Sequence, residues 1–241
     1  MALDGPTFAT TQWTLVWQAA KDQDDTARPA LEEIIRRYWE PLYTFARRRG
    51  MSREDAEDAT QEFLEGIVRG ELLNAADPAK GKFRAYLLTA WRRFLIDQYR
   101  KETALARGGR ERILSLDFGR GEKRWLDVEA SAPDADRIFS LIWANNLLDE
   151  VRRRLHKIYA DRDRNHVYET LLPLLTVPMD AARYESLATE LTLSCSAVKV
   201  ALHRLRQRFG ETLRDVVLET LDDPEEIDAE IGELLAIMAG K

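Results

Sequence analysis

The chain has few of the residues that crosslink, hinge or interrupt a polypeptide. Cys195 is the single cysteine in 241 residues, so no internal disulfide can form. A lone cysteine with no obvious base nearby in sequence reads as a small packing residue rather than a reactive thiol. The three histidines are scattered, and no Cys/His spacing suits a metal site. Neither a phosphate-cradling glycine loop nor a nucleophile motif occurs, which argues against an enzyme and against a bound cofactor. Twelve Gly and eight Pro leave little to break helices, and Leu, Ala, Arg and Glu favour them. No apolar run approaches the roughly 20 residues a membrane helix needs. The opening "MALDGPTFATTQW" lacks the basic-then-apolar order of a secretion signal. Together these absences point to a cytoplasmic, all-α protein that catalyses nothing.

Charge is plentiful but uneven. The formal net charge is −6. Ten of the 42 acids and two of the 36 bases fall between Glu211 and Lys241, so that stretch carries −8 and the rest of the chain +2. The acidity belongs to the tail and does not exclude an anionic partner for the body.

Apolar residues recur at helical spacing in several segments. In "ARPALEEIIRRYWEPLYTFARRRG" Leu31, Ile34, Ile35, Tyr38, Leu42 and Phe45 share a stripe, with Gly50 as a stop and Pro41 expected to kink or divide the helix. Ser52 is placed to cap "REDAEDATQEFLEGIV", which has acids in its first turn. "KGKFRAYLLTAWRRFLIDQYRK" turns Leu87, Trp91, Phe94, Leu95 and Gln98 inward. Residues 108–133 contain four glycines and Pro133 and no sustained stripe, so they read as a linker, with "ILSLDF" as a short extended piece. The organisation expected is an extension over 1–26, a helical domain over 27–107, a linker over 108–133, a second helical domain over 134–221 and an acidic helix over 222–241.

Two basic segments stand out. "YESLATELTLSCSAVKVALHRLRQRF" reads as helix, short turn, helix, with Leu193 in the turn and Ser194 as cap. Val198, Leu202, Leu205 and Phe209 form the apolar back of the second helix. Ser196, Lys199, Val200, His203, Arg204 and Gln207 form the front, the shape of a recognition helix for a major groove. The alternative is a solvated basic face on an ordinary helix. The second segment, Lys80 to Lys101, carries seven bases, one acid and five aromatics. Tyr86, Arg93 and Arg100 are seven apart and share an outer face, a combination suited to single-stranded nucleic acid. Trp91 and Phe94 read better as core.

Three stretches resemble bacterial RNA polymerase sigma factors of the extracytoplasmic-function (ECF) group, in that family's order. "DAEDATQEFLEGI" is similar to the D-A-E-D-x-x-Q-E-x-F signature. The resemblance implies that Asp55, Asp58, Gln61 and Glu62 dock on the beta-prime clamp helices of core polymerase. "FRAYLLTAWRRFLIDQYRK" is similar to the helix that reads and opens the −10 promoter element, which implies roles for Asp77, Phe83, Tyr86, Arg93 and Arg100. "YESLATELTLSCSAVKVALHRLRQRF" is similar to the helix-turn-helix that reads the −35 element. The implied fold is a region 2-like bundle and a region 4-like helix-turn-helix joined by a loop-rich linker. The implied function is to direct core polymerase to promoters and assist melting, with promoter DNA and an anti-sigma factor or other regulator as further partners. The alternative is a helix-turn-helix regulator that never joins polymerase.

The sequence departs from the family pattern at four places. Arg93 stands where the family has Asn, Thr192 stands where it has Gly, and "NAADPAK" with Asp77 and Pro78 replaces its −10 specificity loop. The acidic tail is an addition. Asp222, Asp223 and Pro224 suit a helix start, followed by a stripe of Ile227, Ile231, Leu234, Leu235 and Met238. Such a helix could screen the basic recognition helix or complete a C-terminal core.

Overall fold

A computed structural model describes residues 28–72, 82–102, 114–128, 134–221 and 223–240. Among them there are helices and no strands, so the chain is all-α. The α-helices are α1 (Arg28–Arg48), α2 (Arg53–Val68), α3 (Phe83–Glu102), α4 (Phe118–Val128), α5 (Ala135–Ala160), α6 (Asn165–Leu171), α7 (Ala181–Glu190), α8 (Cys195–Leu218) and α9 (Ile227–Met238). Short 3₁₀ turns cover Leu172–Leu174 and Pro224–Glu226. No described helix is long and apolar enough to cross a membrane, and no described cluster of three or more His, Cys, Asp or Glu could hold a metal.

The residues fall into two compact units. Met1–Asn146 and Leu218–Lys241 form one, and Leu147–Val217 forms the other. The limits expected from sequence at 107, 133 and 221 do not coincide with these, because Ile138, Phe139, Ile142 and Trp143 of α5 are buried in the first unit.

In the first unit α1 packs on α2 and α4, and α2 packs on α3. Leu42, Tyr43, Phe63, Leu64, Leu87 and Trp91 are sealed from solvent. The Phe63 and Trp91 rings meet edge to face with centroids 4.8 Å apart, a favoured aromatic arrangement. Pro41 does not divide α1. Proline removes the N–H that would bond the carbonyl four residues back. That carbonyl, Arg37 O, instead accepts from Asn146 Nδ2 at 3.1 Å. Ser52 caps α2 as expected, its Oγ accepting from Asp55 N at 3.1 Å.

The linker expectation needs correction. Residues 118–128 are helical, and residues 114–117 of "ILSLDF" form no strand. Asp117 caps α4 through Oδ1, which accepts from Arg120 N at 3.1 Å. The buried stripe is only Phe118, Gly121 and Trp125. Gly121 is needed for close approach rather than for a turn, since a Cβ there would lie 2.9 Å from the Trp39 ring. Glu122 then fastens α4 to α1. It accepts from Arg47 at 2.9 and 3.0 Å and from the Tyr43 hydroxyl. Burial pushes the Glu122 carboxyl up, but these hydrogen bonds outweigh it and hold it below the usual range.

In the second unit Val151 and Leu155 of α5, Tyr168 and Leu171 of α6, Leu187 of α7, and Val198, Leu202 and Leu205 of α8 are buried. Tyr168 reaches back to α5, its hydroxyl donating to Arg152 O at 2.9 Å.

Candidate nucleic-acid interface

α7, the turn 191–194 and α8 follow one another as helix, turn and helix. Asp180 caps α7, its Oδ1 accepting from Arg183 N at 2.9 Å. α7 ends where Leu191 N donates to Leu187 O and Leu193 N donates to Ala188 O, both at 2.9 Å. Thr192 between them has φ of 54°, the left-handed region. Ser194 then caps α8, accepting from Ala197 N at 3.2 Å.

A β-branched residue in left-handed backbone costs about 1–2 kcal/mol, while glycine gives back roughly 0.5–1 in unfolded-state entropy. Thr192→Gly is therefore expected to stabilise the protein by about 0.5–1 kcal/mol, read as a higher urea midpoint at unchanged slope. A lowered midpoint would show that the turn is not strained by its threonine.

Val198, Leu202 and Leu205 of α8 face inward, leaving Ser196, Lys199, Val200, His203, Arg204 and Gln207 all exposed on one helix. Lys199 Nζ lies 5.1 Å from the centroid of the Tyr184 ring on α7, a cation–π contact that limits its swing. Leu193, expected to plug the turn, is 39% exposed. With Val200 and Ala197 it floors a groove of about 330 Å³ rimmed by Arg162, Arg164, Arg204 and Arg208. Sequence reasoning missed Arg162 and Arg164, which sit before α6 and join the groove only through folding. Arg206 has another task. It donates from Nε to Leu175 O at 2.9 Å and from Nη2 to Leu174 O and Val177 O, both at 3.2 Å. Cys195 is half-buried, its Sγ 3.8 Å from Tyr184 O.

On α3 the expected outer face holds in part. Arg93 and Arg100 are exposed, and Arg100 lies 3.7 Å from Asp97. Tyr86 is half-buried, and its hydroxyl donates to Leu72 O. Burial raises its pKa, opposed by the nearby Arg93 charge. Phe83 is a correction. It is 5% exposed and meets Tyr38 edge to face at 5.4 Å, so its ring is core and cannot stack on a base. The exposed aromatic ring on α3 is Tyr99, at 72%. Asp77 lies outside the described residues.

On α2, Asp55, Asp58 and Glu62 recur at +3 and +7 and share a face. Asp58 is exposed, and Asp55 and Glu62 are half-buried. Gln61 is a second correction. It is 5% exposed, and its Nε2 donates to Leu114 O at 2.9 Å, tying the chain ahead of α4 to α2.

Each unit thus carries a helix with exposed basic residues, α3 in the first and α8 in the second. Residues 34–104, less than half of the chain, match the family model of Sigma-70 region 2. The match likens this stretch to region 2 of sigma-70 factors. No curated protein and no solved structure matched the chain.

Proposed function

We propose that the chain is a promoter-specificity subunit of the ECF type, which joins core polymerase and reads two promoter elements. The observation that carries this reading is the coexistence, in one chain, of the region 2 match and a helix-turn-helix with an exposed basic face. In this reading Asp55, Asp58 and Glu62 on α2 meet the beta-prime clamp helices. Arg93, Arg100 and Tyr99 on α3 face unstacked bases and backbone of the −10 strand, where ring stacking and phosphate neutralisation lower the cost of melting. Lys199, Arg204 and Gln207 on α8 read the −35 duplex. The functional domains are 27–107 and 134–221, with 108–133 between them, and an anti-sigma factor or other regulator is a further partner. The protein supplies positioning and strand capture in the cytoplasm, and the chemistry belongs to the polymerase.

A helix-turn-helix regulator acting alone would account for α7 and α8 but not for the match over 34–104. Co-purification separates the two. The tagged chain is expected to retain core polymerase through a moderate-salt wash and to direct transcription from selected promoters in vitro. Duplex binding without core association would overturn the proposal.

A further inference from the structure

Asp223 caps the turn before α9, its Oδ1 accepting from Glu225 N at 2.8 Å, and α9 belongs to the first unit. There it sits on the start of α3. Lys82 Nζ donates to Glu230 Oε2 and, at 2.8 Å, to Glu233 Oε2. Arg84 Nη2 donates to Glu233 Oε1 and lies 3.7 Å from Glu230 Oε1. The Arg84 guanidinium also stacks 4.0 Å from the centroid of the Trp143 ring. The buried face of α9 is Ile227, Glu230 and Leu234, whereas Leu235 and Met238 of the expected stripe are 59% and 39% exposed.

We propose that Lys82 and Arg84 form a binding site for the phosphates of single-stranded nucleic acid, which α9 occupies in the free chain with two carboxylates in their place. The proposal rests on the reading of α3 as the helix that faces the −10 strand. Two features support exchange over permanent packing. First, ion pairs from Lys82 and Arg84 to Glu230 and Glu233 join α9 to the start of α3 beside the buried Ile227 and Leu234. Buried ion pairs of this kind are a poor way to gain stability compared with apolar residues of similar volume. Second, Arg84 Nη1 is buried without a hydrogen-bond partner among the described residues, so the guanidinium keeps a donor that a phosphate oxygen could take. The charges are mutually tuned: burial alone would lower the Lys82 pKa and raise that of Glu233, and in both the opposing partner reverses the shift.

The test uses the full chain and a fluorescein-labelled single-stranded oligonucleotide, read by anisotropy at two salt concentrations. Glu230→Gln with Glu233→Gln is expected to tighten binding about fivefold or more, the usual scale of a coupling between two competing ligands. Adding Lys82→Ala should remove the gain. Glu225→Gln with Glu226→Gln removes the same charge from exposed positions and should stay near wild type. Because Glu230 is buried, Glu233→Gln alone is measured as well, with melting curves for every variant; a folded single variant should show a smaller gain in the same direction. If Glu233→Gln and the double variant bind no tighter than the Glu225/Glu226 pair, the mask is overturned. Loss of the mask with core and duplex binding intact leaves the proposed function standing. Failure of every version to bind core polymerase or single strands would overturn both.

Discussion

Replacing Arg204 with alanine is expected to weaken duplex binding by about 1–3 kcal/mol, roughly 5- to 150-fold. Arg204 is exposed on α8, beside Arg162, Arg164 and Arg208 on the rim of one groove. Its pattern of loss identifies the contact. A guanidinium paired with a guanine edge would lose affinity at one base position and keep it elsewhere. A phosphate contact would weaken every duplex alike and reduce the salt slope by about one. Anisotropy with promoter variants at several salt concentrations reads both quantities. Unchanged affinity for all duplexes at all salts would remove α8 as the reading helix. Arg206→Ala makes a useful contrast, because that side chain is committed to three backbone carbonyls. Its loss should lower stability first, by about 0.5–1.5 kcal/mol since these bonds are exposed and water can replace them, and duplex affinity only as a consequence.

Reversing charge on α2, with Asp58→Lys and Glu62→Lys together, is expected to abolish retention of core polymerase, a loss of tenfold at the least. Like charges brought together at an interface cost several kcal/mol. Asp58 is exposed and Glu62 half-buried, so the variant should melt close to wild type. Gln61→Ala is expected to behave differently. That amide is buried and holds Leu114 O, so its removal should cost about 1–3 kcal/mol of stability. Pull-down with thermal melts for each variant separates docking from folding. Full retention of core by the folded double-lysine variant would show that α2 does not dock.

The sequence made the helices legible wherever a stripe was long. Ile34, Tyr38, Leu42 and Phe45 of α1, and Val198, Leu202 and Leu205 of α8, are buried as their spacing requires. α4 escaped because its stripe has three members and one is Gly121. A glycine chosen to admit the Trp39 ring is indistinguishable, in sequence, from one chosen to break a helix. The front of α8 was readable because its back was unambiguous. Phe83 and Gln61 were misassigned because a motif says which residues recur, whereas burial depends on what else packs there, Tyr38 in one case and Leu114 in the other. The placement of α9 was illegible for a related reason. Its ion pairs join Lys82 and Arg84 to residues about 150 positions away, and helical periodicity carries no information over that distance.

The way the chain returns to its first unit constrains how the protein is born. Arg37 pairs with Glu219 at 2.6 Å, and Lys82 with Glu233, across separations of 182 and 151 residues. On the ribosome that unit therefore stays unfinished until all of Leu147–Val217 has been synthesised, whereas the intervening unit is contiguous and can close by itself. Contacts so distant in sequence are slow to form, because a long loop must be ordered before they return any energy. The order of assembly follows from topology: the unit Leu147–Val217 is complete first, and the surface of Lys82 and Arg84 stays open until α9 emerges to cover it.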